Sequence, residues 1–329
     1  MELENHTRFP ARLFRTAIDD DRIAASLVTK ITYDLRGTEL VPSEAQPWRI
    51  SAEPWESEYG VIDTDQLFYR GGVDLFLFGH ARPEKPGTTR FTLSVLVGRE
   101  WKREVAVSGV RVWRKGLSGL SPTSPLPIEA IPLTMAHAYG GKDVWDGLEV
   151  PYPLNPDGIG CYLWPHSAED RPLPNLEEPD QLISSWDDRP LPAGVGPCPP
   201  MSGIRLARLA GPSLHAHAAG AADAAAAGPP IQFDATFFNA AHPRMIVPSI
   251  EPGTRIAVGG VTGGAPLVID LPEVRPRARV RFEDEVDERP LAIDQVGIEA
   301  DRGRVFVSYR FPFRYVVVPE QIREAHLFL

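Results

Sequence analysis

Proline most restricts what this chain can become. Thirty-four prolines are spread along its 329 residues, and each one inside a helix would remove a hydrogen bond and collide with the preceding turn. Long regular helices are excluded, and short strands joined by many turns remain. Twenty-eight glycines accompany the prolines, yet the two together stay below the roughly 25–30% of low-complexity sequence. With 43% hydrophobic and 24% charged residues, the chain can bury a sizeable core and is no disordered tail.

Hydrophobic patterning predicts strands in the first third and the last hundred residues. Ile23–Leu35 is rich in β-branched residues and is followed by an Arg36-Gly37-Thr38 turn. Asp74–Ala81 reads as a buried strand ending at Gly79-His80, and Phe91–Val97 and Val105–Trp113 read as further strands around a Lys102-Arg103-Glu104 connection. Arg255–Val261, Leu267–Leu271, Arg277–Phe282 and Arg304–Arg310 follow the same logic. In Arg277–Phe282 three arginines alternate with Ala278, Val280 and Phe282, which places one face in water and one in the core. Glu283–Glu288 reads as an acidic turn beyond it. Between these regions periodicity disappears. Short helices are expected around Pro132–Tyr139, stopped by Gly140-Gly141, and over Pro179–Trp186. Trp145, Tyr152, Tyr162, Trp164 and Trp186 mark the segment as one to be buried, not a linker. Ala218–Gly228, alanine or glycine except for Asp223, has no apolar stripe to pack and reads as an exposed loop. The expectation is a mainly β fold: antiparallel, sandwich-like regions over 1–116 and 231–329, with a Pro/Gly-rich irregular segment over 117–230 wrapped over them. The three can form one compact unit.

The formal net charge is −10, which repels a phosphate backbone and argues against nucleic acid as a partner. The apolar runs are too short to span a bilayer, and the first residues lack the basic and apolar stretches of a signal peptide. The expectation is a soluble cytoplasmic protein with no membrane contact. Cys161 and Cys198 form no C-x-x-C pair and no disulfide framework.

No familiar catalytic signature stands out. His215-Ala216-His217 could offer two imidazoles to a metal, but a site needs more ligands than this neighbourhood supplies, and exposed loop histidines are expected. Cys161 or Cys198 with His137 or His166 could suggest a thiol nucleophile; nothing nearby depresses a thiol pKa, so packing cysteines are expected. Val258–Gly264 is glycine-rich without the lysine of a phosphate loop, and reads as a turn. Glu177-Glu178 and Asp187-Asp188 read as solvated turns. No cofactor, metal or catalytic residue is assigned.

Six punctuated motifs run in order through the chain: Val107–Trp113, Ile131–Gly141, Asn155–Gly160, Leu173–Glu177, Pro192–Pro197 and Phe237–Pro243. Their series, between about Asp74 and Arg310, resembles a large bacterial family of uncharacterised-domain proteins encoded beside type VI secretion spike genes. The resemblance implies a cytoplasmic adaptor or chaperone that loads toxin effectors onto the spike and its Pro-Ala-Ala-Arg tip. It implies no catalytic residue. Family members carry a tryptophan and a Gly-Thr-Tyr element after the fifth motif; here the stretch reads Met201–Arg205 and Ala210–Leu214, so the contact it serves differs. The residues singled out, with a structural or partner-facing role left open, are Trp113, Tyr139, Gly140, Gly141, Asn155, Pro156, Gly158, Gly160, Pro174, Asn175, Gly194, Phe238 and Asn239. The first functional reading is a non-catalytic adaptor that binds a secretion effector or a spike-tip protein. The alternatives are an enzyme of unrecognised, hydrolase-like type and a sugar-binding β-sandwich.

Overall fold

The computed structural model describes residues 1–117, 119–198, 202–207, 209–210, 232–233, 235–283, 285–321 and 323–329. His215, His217 and the Ala218–Gly228 stretch lie outside the described residues. The protein is mainly β, built on a large curled sheet of twelve strands with a four-stranded sheet beside it. The two α-helices among the described residues, Pro165–Ala168 and Gly203–Leu206, have four residues each, as the proline density requires.

The centre of the large sheet is a pair of long strands. Arg22–Arg36 and Arg304–Val316 run antiparallel, paired from Asp34/Arg304 to Arg22/Val316. Ala292–Glu299 pairs with the second of them and lies parallel to Val73–Phe78. All six residues of Val73–Phe78 are buried, because this strand is covered on both faces. Ala11–Ala17 and Glu39–Pro42 flank the other side of Arg22–Arg36. From Glu39–Pro42 the sheet continues through Leu267–Asp270 and Arg255–Gly259 to the Arg90–Val97/Trp101–Ser108 hairpin.

Trp48, Tyr59, Phe76, Phe78 and Phe306 stack in the main core, with Trp48 and Phe306 centroids 4.2 Å apart. This core draws Leu27 and Phe78 from the first stretch, Ile131, Leu133 and Val195 from the middle one, and Val296 and Phe306 from the last. A smaller core of Trp113, Tyr139, Cys161, Tyr162, Leu173 and Ile183 belongs to the middle segment.

Several local expectations need correction. Pro179–Trp186 holds no helix, and Pro132–Tyr139 holds a single 3-10 turn at Met135–His137. Lys102-Arg103-Glu104 lies inside strand Trp101–Ser108, since Arg103 points inward to a buried carboxylate. The acidic run 285–288 belongs to strand Glu285–Pro290, whose arginine-rich neighbour Arg277–Phe282 neutralises it: Arg279 Nε lies 2.7 Å from Glu288. Of the five aromatics expected inside, Tyr162 is buried, but Trp145 and Trp164 are exposed, at 63% and 45%. Trp145 flanks the Asp146-Gly147 turn of the hairpin Lys142–Trp145/Leu148–Pro151.

Candidate functional site

The singled-out glycines hold the middle segment together. Gly140, Gly141 and Gly160 take φ of 150°, 100° and 103°, where a side chain is strained. A Cβ on Gly140 would collide with the carbonyl of Asn155, and one on Gly158 would lie 2.7 Å from the carbonyl of Ala138. Asn155 is buried at the centre of this crossing, donating from Nδ2 to Met135 O and Tyr139 O at 2.8 and 3.0 Å. Its own carbonyl accepts from Gly141 N at 2.8 Å. Pro156 follows at the surface side, half-buried. Pro174 packs against Gly160, and Asn175 bridges Ser108 O and His137 Nδ1 at 3.0 Å each. Trp113 and Tyr139 are buried in the smaller core, and the Tyr139 hydroxyl donates to Asp188 O at 3.0 Å. Burial raises the Tyr139 pKa. Gly194 touches Met135 and His242.

Asn239 does a second tying job. It is fully buried, accepts from Gly71 N at 3.0 Å, and donates to Gly72 O and Asp74 Oδ1 at 2.8 and 2.9 Å. Asp74 also takes the backbone N–H groups of Ala240 and Ala241 at 3.0 Å each. The motif Phe237–Pro243 is thereby lashed to the buried strand Val73–Phe78.

Sequence reasoning missed the ionic groups inside. Arg70 is fully buried between Asp74 at 3.1 Å and Asp294 at 3.4 Å. Asp294 sits at a bulge in Ala292–Glu299, which turns its carboxylate to Arg310 Nε at 2.6 Å. Burial pushes the Asp294 pKa up, but Arg310 and Arg70 outweigh it and hold the carboxyl below its ordinary value. Arg310 donates onward to Asp65 O and Leu67 O, and Lys30 Nζ lies 3.2 Å from the Asp65 carboxylate. Glu177 and Glu178, expected in a solvated turn, are buried. Glu178 receives a bidentate contact from Arg103 at 2.6 Å for both bonds and a third from Arg244 at 2.6 Å; Glu177 pairs with Arg111. The expectation failed because three arginines distant in sequence, Arg103 on a strand, Arg111 just beyond it and Arg244 in a 3-10 turn, satisfy both carboxylates. Asp187 is exposed, and Asp188 caps Ser184 N and Ser185 N at 2.8 Å each. Cys161 is a buried free thiol, and Cys198 is buried as well.

These ionic contacts pin residues 63–70 across one face of the long strand pair, and where this cover ends the face lies open. Phe14, Thr16, Ala24, Ser26, Leu67, Phe68, Tyr69 and Phe238 line a hollow of about 280 Å³. Ile18, Ala24, Phe68, Tyr315 and Val316 line an adjoining one of about 410 Å³. Shared walls of Ala24 and Phe68 make them one apolar trough, with Ile18, Tyr69 and Val316 each more than 40% exposed on its rim.

Two guanidinium groups overlook it. Arg12 lies over the Phe14 ring at 5.0 Å and Arg314 over the Phe68 ring at 4.9 Å. Neither has a carboxylate partner among the described residues. The charge of Arg22, by contrast, is taken by Asp19, whose pKa that hydrogen bond lowers to about 2. The trough is bordered by strand Ala11–Ala17, which among the described residues pairs with a strand on one side only. Its outer edge offers a ladder of backbone donors and acceptors. Phe238 is the only singled-out residue that reaches the trough; Phe14, Phe68, Arg12 and Arg314 carried no motif.

Among the described residues, no helix is long and apolar enough to cross a membrane. No curated protein and no solved structure matches the chain. A family model described as an uncharacterised protein conserved in bacteria, DUF2169, matches residues 20–310. The match takes in Arg22–Arg36, the first part of Arg304–Val316 and all six motifs, and the chain belongs to the DUF2169 family of bacterial proteins.

Proposed function

We propose that the protein is a non-catalytic adaptor that holds an extended segment of a protein partner, and that the partner is a type VI secretion effector or spike-tip protein. The observation carrying the adaptor reading is the apolar trough beside a strand edge that is unpaired among the described residues. A peptide added to Ala11–Ala17 would point every second side chain to the face of Phe14 and Thr16, into the trough. Arg12 and Arg314 favour acidic side chains on that segment. The type VI assignment rests on the order of the six motifs.

Co-expression with effector and spike-tip proteins encoded beside the gene, followed by size-exclusion chromatography, tests the reading. A stable complex is expected with one of them. The double variant Arg12→Glu/Arg314→Glu is expected to weaken it by about tenfold at low salt, as reversed charges on the rim of an interface do. A complex indifferent to both reversals would refute the trough as the binding site. Failure to bind any of these proteins would refute the assignment to secretion.

A further inference from the structure

Three side chains of metal-ligand type meet where the two ends of the chain pair. Leu3–Asn5 runs parallel to Arg323–Phe328 in a register that sets Glu4 beside His326. His6 N donates to Leu327 O at 2.9 Å, bringing the next imidazole to the same place. His6 Nε2 then lies 3.1 Å from His326 Nδ1. Glu4 Oε2 lies 3.3 Å from His326 Nδ1 and 3.8 Å from His6 Nε2. Ligand atoms about 2.0–2.2 Å from a tetrahedral Zn²⁺ are separated from one another by about 3.3–3.6 Å. The triangle already has the size of one face of such a tetrahedron.

The surroundings fit as well. A ligating imidazole usually donates its other ring nitrogen to a carboxylate, which fixes the tautomer. Glu324 Oε2 stands 3.7 Å from His326 Nε2, longer than a hydrogen bond, so a small side-chain rotation would complete this contact. Two imidazoles with one carboxylate suit Zn²⁺ better than the hard cations Mg²⁺ and Ca²⁺, which prefer all-oxygen shells. Without a metal the same groups supply one imidazole–imidazole hydrogen bond and two longer contacts of the exposed Glu4 carboxylate, which are worth little.

We propose that Glu4, His6 and His326 bind Zn²⁺, with the fourth position open to water, and that the ion staples the first strand of the chain to the last. A strand of three residues has few ladder bonds of its own, so a metal bridge would decide how firmly it stays docked. The site lies on the four-stranded sheet, and the proposal does not depend on the adaptor reading.

The test titrates untagged full-length protein with Zn²⁺ by calorimetry and follows amide exchange of residues 3–6 and 325–327. One ion per chain and slower exchange in both strands are expected. His6→Ala and His326→Ala should each weaken binding at least about tenfold, and Glu324→Gln by a smaller factor, as loss of an outer-shell carboxylate does. His215→Ala/His217→Ala should leave it unchanged. The proposal is overturned by absence of binding at micromolar Zn²⁺, by binding that survives His6→Ala/His326→Ala, or by binding that is lost with the His215/His217 pair.

Discussion

Glutamine at position 178 puts the interior ionic account to a quantitative test. Glu178→Gln keeps the shape of the side chain and removes its charge. The amide oxygen can still accept one bond but the NH2 cannot, so Arg103, 5% exposed, would lose one of its two 2.6 Å bonds and remain buried as an uncompensated cation. Breaking a buried pair from one side destabilises by about 3–5 kcal/mol. The Arg244 contact adds little, because that side chain is 38% exposed and water screens it. For 329 residues the entropy of unfolding is about 0.7 kcal/mol per kelvin, so the melting temperature should fall by about 4–7 °C. Urea unfolding should show a lower midpoint with an unchanged slope. Asp187→Asn, in an exposed carboxylate of similar sequence context, should stay within about 0.5 kcal/mol of wild type. If Glu178→Gln also stayed within about 0.5 kcal/mol, the carboxylate would be solvated and the packing of the middle segment against Trp101–Ser108 would be wrong.

Two more substitutions probe the backbone and the bulge. Gly140→Ala should destabilise by at least about 2 kcal/mol in the same urea assay, since its Cβ meets the Asn155 carbonyl at a positive φ. Gly37→Ala, at φ 67° with open space around it, should lose only about 1 kcal/mol; equal losses would remove the case for a tight crossing at Gly140. Asp294 titrates below its ordinary value in the folded state, so its contribution is present at neutral pH and fades as pH falls from about 4 downward. The stability gap between wild type and Asp294→Asn, measured by urea midpoints along a pH series, should therefore narrow toward acid; a gap that widened would show the opposite linkage.

Alternation was readable wherever charge and exposure agreed. Arg277–Phe282 came out with its true bounds, because its arginines face water and Ala278 and Val280 are buried. Ala292–Glu299 escaped notice for the converse reason. Asp294, Gln295 and Glu299 make it look like a loop, yet all three are buried, with Asp294 on Arg310 and Glu299 on Arg304 and Tyr59. Arg103 and Glu178 mislead in the same way. A charged residue reads as surface unless its partner is known, and apart from Arg304, five residues beyond Glu299, these partners are 16 to 240 positions away. The trough was hidden by the same distance: Phe14 and Arg314 are placed by strand register and Phe68 by the loop that Arg310 holds, which a single sequence does not display. Even the exposed Trp145 contradicts residue preference, because the Lys142–Pro151 hairpin carries it away from either core.

Amide hydrogen exchange on the chain bound to its partner tests the central claim most directly. Slowed exchange is expected to concentrate in Ala11–Ala17, where a new strand would take up the outer edge, with lesser protection at Phe68, Tyr69 and Val316 around the trough. Partner binding that leaves Ala11–Ala17 exchanging at its free rate, with protection elsewhere such as the Lys142–Pro151 hairpin, would contradict it.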